Sequence, residues 1–341
     1  MNGNENGNDR LAGRTALASA AVAIVMAMTV GMVVGCGDEE TTLAPETVIP
    51  PSLLVGKTSD FLATADWNNA VTQTVTLREV SPSQFEFDPK NLVLEAGTPV
   101  VLTIVNPSTN SSKHYYTATD FYKSVAWRKA QTPDAEYKAP YFNAFELKTG
   151  ASATQIELYF VPVETGTFPV ICTIPGHYDL GMSGFITVTG NSGNAIDQDI
   201  STTWNSALES DPRTSGGDPV WVGATTPTID ITETPFTFSP LNLALTINTG
   251  YKLLLTNVAA NTGPHYYTAG TFYQTCVTRK ADDANAEIKV PYFNAVELRN
   301  PGTAGTSTTL FLVPTGGGVF SVTCTITGHR ALGMDGTITV Q

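Results

Sequence analysis

The sequence predicts an all-β protein folded as two tandem domains, each a β-sandwich or barrel. Three observations predict this. First, the chain repeats itself. HYYTATDFYKSVAWRKAQTPDAEYKAPYFNAFEL (114–147) matches HYYTAGTFYQTCVTRKADDANAEIKVPYFNAVEL (265–298) at 20 of 34 positions. FEFDPKNLVL (85–94) matches FTFSPLNLAL (236–245), and CTIPGHYDLGMSGFITV (172–188) matches CTITGHRALGMDGTITV (324–340). The offset is 151 residues, then 152 after a one-residue gap. So long a period marks a duplicated domain rather than a solenoid. Second, each copy is made of short runs rich in branched and aromatic residues, bounded by turn residues. Third, no helical periodicity of useful length appears beyond the N-terminal segment.

The elements follow in order. Residues 1–14 are polar and carry Arg10 and Arg14, and no charge occurs from Thr15 to Gly35. A basic start, an apolar stretch and small residues before a cut form a secretory signal. The stretch ends Val33-Val34-Gly35-Cys36, which resembles the bacterial lipoprotein signal. That resemblance implies a signal peptide over 1–35 and a lipid on Cys36. An uncleaved anchor is the alternative, since about 20 apolar residues span a bilayer. Either reading places the rest in the cell envelope, on the periplasmic side or cell surface, held at the membrane. Residues 36–59 are polar and Pro-containing and read as a tether.

The first domain is expected over 60–190 and the second over 219–341. Between them, 191–218 is a linker rich in Asn, Ser, Gly and Asp, with a short helix expected around Trp204–Glu209. Within each domain, LVLEAGTPVVLTIVN (92–106) and LALTINTGYKLLLTN (243–257) are two alternating runs around a Gly or Asn turn. QIELYFVPV (155–163) and TTLFLVPT (308–315) are strands, followed by FPVIC (168–172) and VFSVTC (319–324). GFITV and GTITV are the closing strands.

Composition excludes several classes. The 341 residues carry 18 Lys and Arg against 31 Asp and Glu, a net charge of -13. Nucleic acid, whose phosphates need a basic face, is not an expected partner. Four cysteines are too few for a disulfide-dense scaffold. The chain has only four histidines, and their placement is specific.

In each copy a Cys ends a strand and is followed at fixed spacing by His and Met. The pattern is C-x4-H-x4-M both times: Cys172, His177, Met182 and Cys324, His329, Met334. A second His stands upstream, His114 in one copy and His265 in the other. Each copy therefore offers a thiolate, two imidazoles and a thioether. Thiolate and thioether suit Cu(I), and imidazole suits both copper oxidation states. Zinc prefers closed Cys and His sets and rarely takes Met.

These residues resemble the cupredoxins, the small blue copper proteins such as plastocyanin, azurin, rusticyanin and auracyanin. The loop spacing is most similar to the rusticyanin and auracyanin types. The resemblance covers 85–190 and 236–341. It implies a Greek-key β-sandwich in each copy with a type 1 copper at one end. It further implies His114, Cys172 and His177 as equatorial ligands of one copper, with Met182 axial. His265, Cys324 and His329 would hold the other, with Met334 axial. Tyr115 and Tyr266 stand where the family often has Asn or Ser after the first ligand. The stretches 115–147 and 266–298 are longer than in the simplest members and would either lid the site or form a docking surface.

The function expected is electron transfer by a membrane-tethered protein with two type 1 copper sites. His177 and His329 would be the points of electron entry and exit. Tyr178-Asp179 follows one and Arg330-Ala331 the other, so the two sites would dock partners unequally. An acidic carrier suits basic redox proteins such as c-type cytochromes, and a respiratory oxidase is a further expected partner. A copper buffer or chaperone is the alternative. A multicopper oxidase or nitrite reductase is a weaker one: all four histidines are taken by the two sites, so no enzyme is expected. Cys276 aligns with Val125 and reads as a buried small residue. The Asn-Ser-Ser at 110–112 matches a glycosylation sequon, without consequence in a bacterial lipoprotein. Tyr115, Tyr116, Tyr266 and Tyr267 read as packing beside the ligands, or as electron relays. Trp67, Trp127, Trp204 and Trp221 differ between the copies and read as core or linker anchors.

Overall fold

The computed structural model describes residues 65–190 and 223–341. The expected signal, Cys36, the tether and the linker with Trp204 and its short helix lie outside the described residues. Trp221 does as well.

Alternation of buried and exposed side chains sets the strands. In the first half these are β1 (Val71–Ser81), β2 (Gln84–Asp88), β3 (Asn91–Glu95) and β4 (Val100–Asn106). Then come β5 (His114–Tyr116), β6 (Val125–Gln131), β7 (Ala135–Lys138) and β8 (Ala144–Leu147). The half closes with β9 (Thr154–Pro162), β10 (Gly166–Ile171) and β11 (Ser183–Thr189). The second half repeats the order. It begins with β12 (Thr228–Glu233), β13 (Phe236–Ser239), β14 (Asn242–Leu245) and β15 (Tyr251–Asn257). It continues with β16 (His265–Tyr267), β17 (Cys276–Asp282), β18 (Ala286–Lys289) and β19 (Ala295–Leu298). It ends with β20 (Thr306–Pro314), β21 (Gly318–Thr323) and β22 (Asp335–Val340). One short helix per half, Thr119–Lys123 and Gly270–Gln274, follows the first histidine's strand.

The runs at 92–106 do not form a hairpin. β3 pairs with β11 in a three-stranded sheet, whereas β4 pairs with β1 and β9 in a larger one. The turn at Gly97, with φ 83°, carries the chain from one layer to the other. Each half is thus a sandwich whose inner faces share one apolar core. That core is continuous through both halves and includes Leu102, Phe121, Phe160, Leu253, Phe272 and Leu312. Trp127 is part of it. Cys276 is buried in it, as its alignment with Val125 implied. Trp67 is half-buried instead, under the Arg128 guanidinium.

The halves are joined edge to edge. β8 of the first half pairs antiparallel with β18 of the second, and β19 of the second pairs with β7 of the first. Each large sheet is therefore eight-stranded and contains strands from both halves. The stretches 115–147 and 266–298 supply these strands, so they form the join.

The join is polar and paired. Glu287 lies opposite Glu146 and Glu297 opposite Glu136, all four buried. Like charges so placed repel unless cations neutralise them. Lys280 and Lys289 flank Glu287, Lys129 reaches Glu136 at 2.6 Å, Lys113 reaches Glu146 at 3.0 Å and Arg299 reaches Glu297 at 3.2 Å. Burial opposes ionisation of Glu287, but the Lys280 ammonium outweighs it and holds the carboxyl below its ordinary range. Equivalent positions also meet across the join. Thr132 Oγ1 donates to Asp283 Oδ2 at 2.7 Å, and Asn285 Nδ2 donates to Asp134 Oδ2 at 2.8 Å.

Two glycines close the small sheets where β3 and β14 begin. A Cβ on Gly184 would lie 1.8 Å from the Lys90 carbonyl oxygen, and one on Gly336 would lie 2.1 Å from that of Leu241. Gly184→Ala is expected to lower stability by about 1–3 kcal/mol, read as a fall in Tm. An unchanged Tm would show that β11 can shift away from Lys90 without cost.

Candidate metal centre

In the first half, β5 carries His114, and Cys172 follows β10. An isolated bridge between Thr117 and Ile171 holds these two strands side by side. The Cys172 N–H donates to Met182 O, and the Met182 N–H donates to His177 O, both at 3.1 Å. The loop is therefore tied at its ends and middle. Its tight return at Gly181 has φ 102°, and a Cβ there would lie 3.2 Å from the Phe85 carbonyl oxygen. The second half has the same ties: Cys324 N–H to Met334 O at 3.0 Å and Met334 N–H to His329 O at 3.1 Å.

These ties bring together three donors per half. His114, Cys172 and His177 offer atoms all within 4.8 Å of one another, as do His265, Cys324 and His329. His114 Nδ1 lies 3.1 Å from His177 Nδ1, and each loop histidine Nδ1 lies 3.5 Å from its cysteine Sγ. Donors about 2.0–2.3 Å from a shared metal would stand roughly this far apart. His265 Nδ1 is buried without a hydrogen-bond partner, which suits an atom reserved for a metal. Met182 and Met334 are fully buried beside the loops they close. The structure thus brings each predicted His-Cys-His set together.

The surroundings disfavour protonation of the first histidines and make the two thiols harder to ionise. Burial, helped by the neighbouring His177 and opposed by Glu79, pushes the His114 imidazole down to about 4. Burial lowers His265 too, against the pull of Glu233. Burial pushes the Cys172 and Cys324 thiols up. Backbone N–H groups counter this: those of Ile174 and Tyr115 at Cys172, and of Ile326 and Tyr266 at Cys324. The Tyr115 N–H stands 3.4 Å from Sγ. Main chain at Tyr115 and Tyr266 therefore braces the sulfur where an Asn or Ser side chain was missing. The Tyr115 and Tyr266 hydroxyls point the other way, into the join. They donate to Glu287 at 3.0 Å and Glu136 at 2.9 Å.

Sequence reasoning missed four residues here. Glu79 Oε1 lies 3.1 Å from His114 Nε2, and Glu233 Oε1 lies 2.9 Å from His265 Nε2. Phe85 packs edge-on against His177 with centroids 4.7 Å apart, and Phe236 packs at a tilt against His329 with centroids 4.9 Å apart. Glu79 opposes Phe85 across β1–β2, and Glu233 opposes Phe236 across β12–β13. Five residues separate the first pair and two the second. An alignment at constant offset therefore hides the glutamates; aligning the hairpins with a gap would have found them. The Asn-Ser-Ser at 110–112, set aside as a sequon, holds Glu79 in place.

No family model matches the chain. It is 27% identical over 113 residues to the copper-resistant cuproprotein CopI of Rubrivivax gelatinosus, covering 33% of this chain and 66% of that protein. Among solved structures it is similar to auracyanin B, with 25% identity, 36% of this chain and 90% of that chain covered, and a TM-score of 0.24. It is also similar to the copper-containing nitrite reductase of Thermus scotoductus SA-01, with 15% identity, 80% and 62% covered, and a TM-score of 0.25. The chain thus spans about two thirds of the length of CopI and of this nitrite reductase. One expectation is corrected by these findings. The chain was expected to be no enzyme, yet a nitrite reductase, an enzyme, is among the structures it is similar to. Counting histidines excludes too much, because carboxylates and water also serve as metal ligands. The fold class is the expected one: all-β, with a β-sandwich in each half.

The histidine environment sets a pH dependence for the metal-free protein. His114 takes a proton near 6.5 in the unfolded chain but only near 4 in the fold. The unfolded chain therefore binds more protons in that window, and stability falls as pH drops through it. Urea midpoints should decline from pH 7 to 4.5, and less steeply in His114→Gln. Equal slopes for the two proteins would contradict this.

Proposed function

We propose that the chain is an electron-transfer protein with a type 1 copper site in each half. His114, Cys172, His177 and Met182 would hold one copper. His265, Cys324, His329 and Met334 would hold the other. Copper held by such a set supplies one-electron chemistry between Cu(I) and Cu(II). The observation that carries this reading is the donor set itself. A thiol and two imidazoles face one another beside a buried methionine, twice, on loops tied by their own backbone hydrogen bonds. Ligands held this firmly move little between oxidation states, and that lowers the barrier to electron transfer. Tyr178, next to His177, and Leu332, in the loop after His329, are exposed and would offer a partner apolar contact at each site.

We also propose, from the resemblance of the N-terminus to a lipoprotein signal, that the protein lies outside the cytoplasm, anchored by a lipid on Cys36. Its partners would be basic redox proteins such as c-type cytochromes, or a respiratory oxidase. A second reading has one observation in its favour. The likeness to a copper-resistant cuproprotein suits a chain that holds copper as a buffer. Rapid electron self-exchange in the copper-loaded protein supports the carrier, and slow exchange the buffer.

Copper stoichiometry with visible absorption tests the sites. The wild type should bind two coppers and show an intense thiolate-to-Cu(II) band. Cys172→Ser and Cys324→Ser should each remove about half of it. A colourless copper-loaded protein would overturn the proposal.

A further inference from the structure

The carboxylates behind the first histidines are built into the fold in the same way twice. Glu79 Oε2 accepts the Ser111 N–H at 2.9 Å and the Ser111 hydroxyl at 2.8 Å. Its Oε1 accepts the Ser112 N–H at 2.7 Å and faces His114 Nε2. Glu233 Oε2 accepts the Thr262 N–H at 2.9 Å and the Thr262 hydroxyl at 3.0 Å. Its Oε1 accepts the Gly263 N–H at 2.9 Å and faces His265 Nε2. Behind each cage an asparagine clamps the loop to the hairpin. The Glu79 N–H donates to Asn110 Oδ1, and Asn110 Nδ2 donates to Leu77 O. The Glu233 N–H donates to Asn261 Oδ1, and Asn261 Nδ2 donates to Ile231 O. The hairpin differs in length by three residues between the halves, yet the carboxylate reaches the same atom.

We propose that Glu79 and Glu233 are positioning residues that fix the tautomer of the first histidine and strengthen its donation to copper. The proposal rests on the copper reading above. A carboxylate at Nε2 keeps the ring proton there and leaves Nδ1 bare, facing the cysteine and the loop histidine. An ionised acceptor also makes a stronger hydrogen bond than a neutral one. It draws the Nε2 proton toward itself and leaves the ring a better electron donor. A better donor stabilises Cu(II) more than Cu(I). The cage keeps the carboxylate from turning away, and the histidines themselves are fully buried.

Two measurements test this. In the metal-free protein, nitrogen-15 NMR should show His114 and His265 as Nε2–H tautomers, and an Nδ1–H tautomer at either would overturn the proposal. In the copper-loaded protein, Glu79→Gln keeps the shape and removes the charge. It should weaken Cu(II) binding relative to Cu(I) at the first site by about tenfold. That is a rise in that site's reduction potential of about 59 mV. Glu233→Gln should do the same at the second site alone. In each variant the untouched site reports whether the fold is intact. Unchanged potentials in both variants, with two blue sites present, would overturn this proposal and leave the copper reading standing. Absence of blue copper in the wild type would instead end the copper reading, while the tautomers would still be readable.

Discussion

A strand at a sheet edge carries a row of N–H and C=O groups that must find partners. In this chain the edges at β7 and β8 are closed by β19 and β18, and the same ladders close the edges of the second half. Much else depends on that pairing. β5, which carries His114, hangs from β8, and β8 is held by β18 of the other half. The second half returns the arrangement through β16, β19 and β7. Each proposed copper site thus has its first histidine on a sheet that the other half completes. The four buried glutamates along these ladders are tolerable only because lysines and an arginine neutralise them from both sides.

The site repeats this dependence on a smaller scale. One tied loop and one short strand set the donors, and a hairpin end sets what stands behind and beside them. Phe85 and Phe236 wall the rings, while Glu79 and Glu233 pull on the nitrogens that face away from the centre. Burial keeps the first histidines neutral, and backbone N–H groups favour the thiolate against that burial. Neutral imidazole and thiolate are the forms that bind a soft metal.

The ligands and the strands were legible because their signals are local. Cys172, His177 and Met182 lie within eleven residues, and the second half repeats their spacing. Alternation in β4 and β15 reads directly as strand. His114 was legible only through the repeat, since nothing nearby marks a lone histidine. The join was not legible, because which strand edge meets which is a non-local choice that alternation leaves open. Glu146 and Glu287 look like solvent-facing residues of short strands until β8 meets β18. Glu79 was hidden by the unequal β1–β2 and β12–β13 hairpins. The count of histidines was legible but misapplied, because it took imidazole to be the sole currency of a catalytic metal site.

The contacts near the middle of the join have a consequence for how this chain meets copies of itself. Thr132 and Asp283 occupy equivalent places in the repeat, as do Asp134 and Asn285, and each touches its counterpart. Were a first half to mate with the first half of another molecule, Asp134 would meet Asp134. Were two second halves to mate, Asp283 would meet Asp283. Across the join, the mixed pairing gives each carboxylate a side-chain hydroxyl or amide of the other half to accept from. The two copies differ at the positions that face each other across the join, and that difference places a donor opposite each carboxylate.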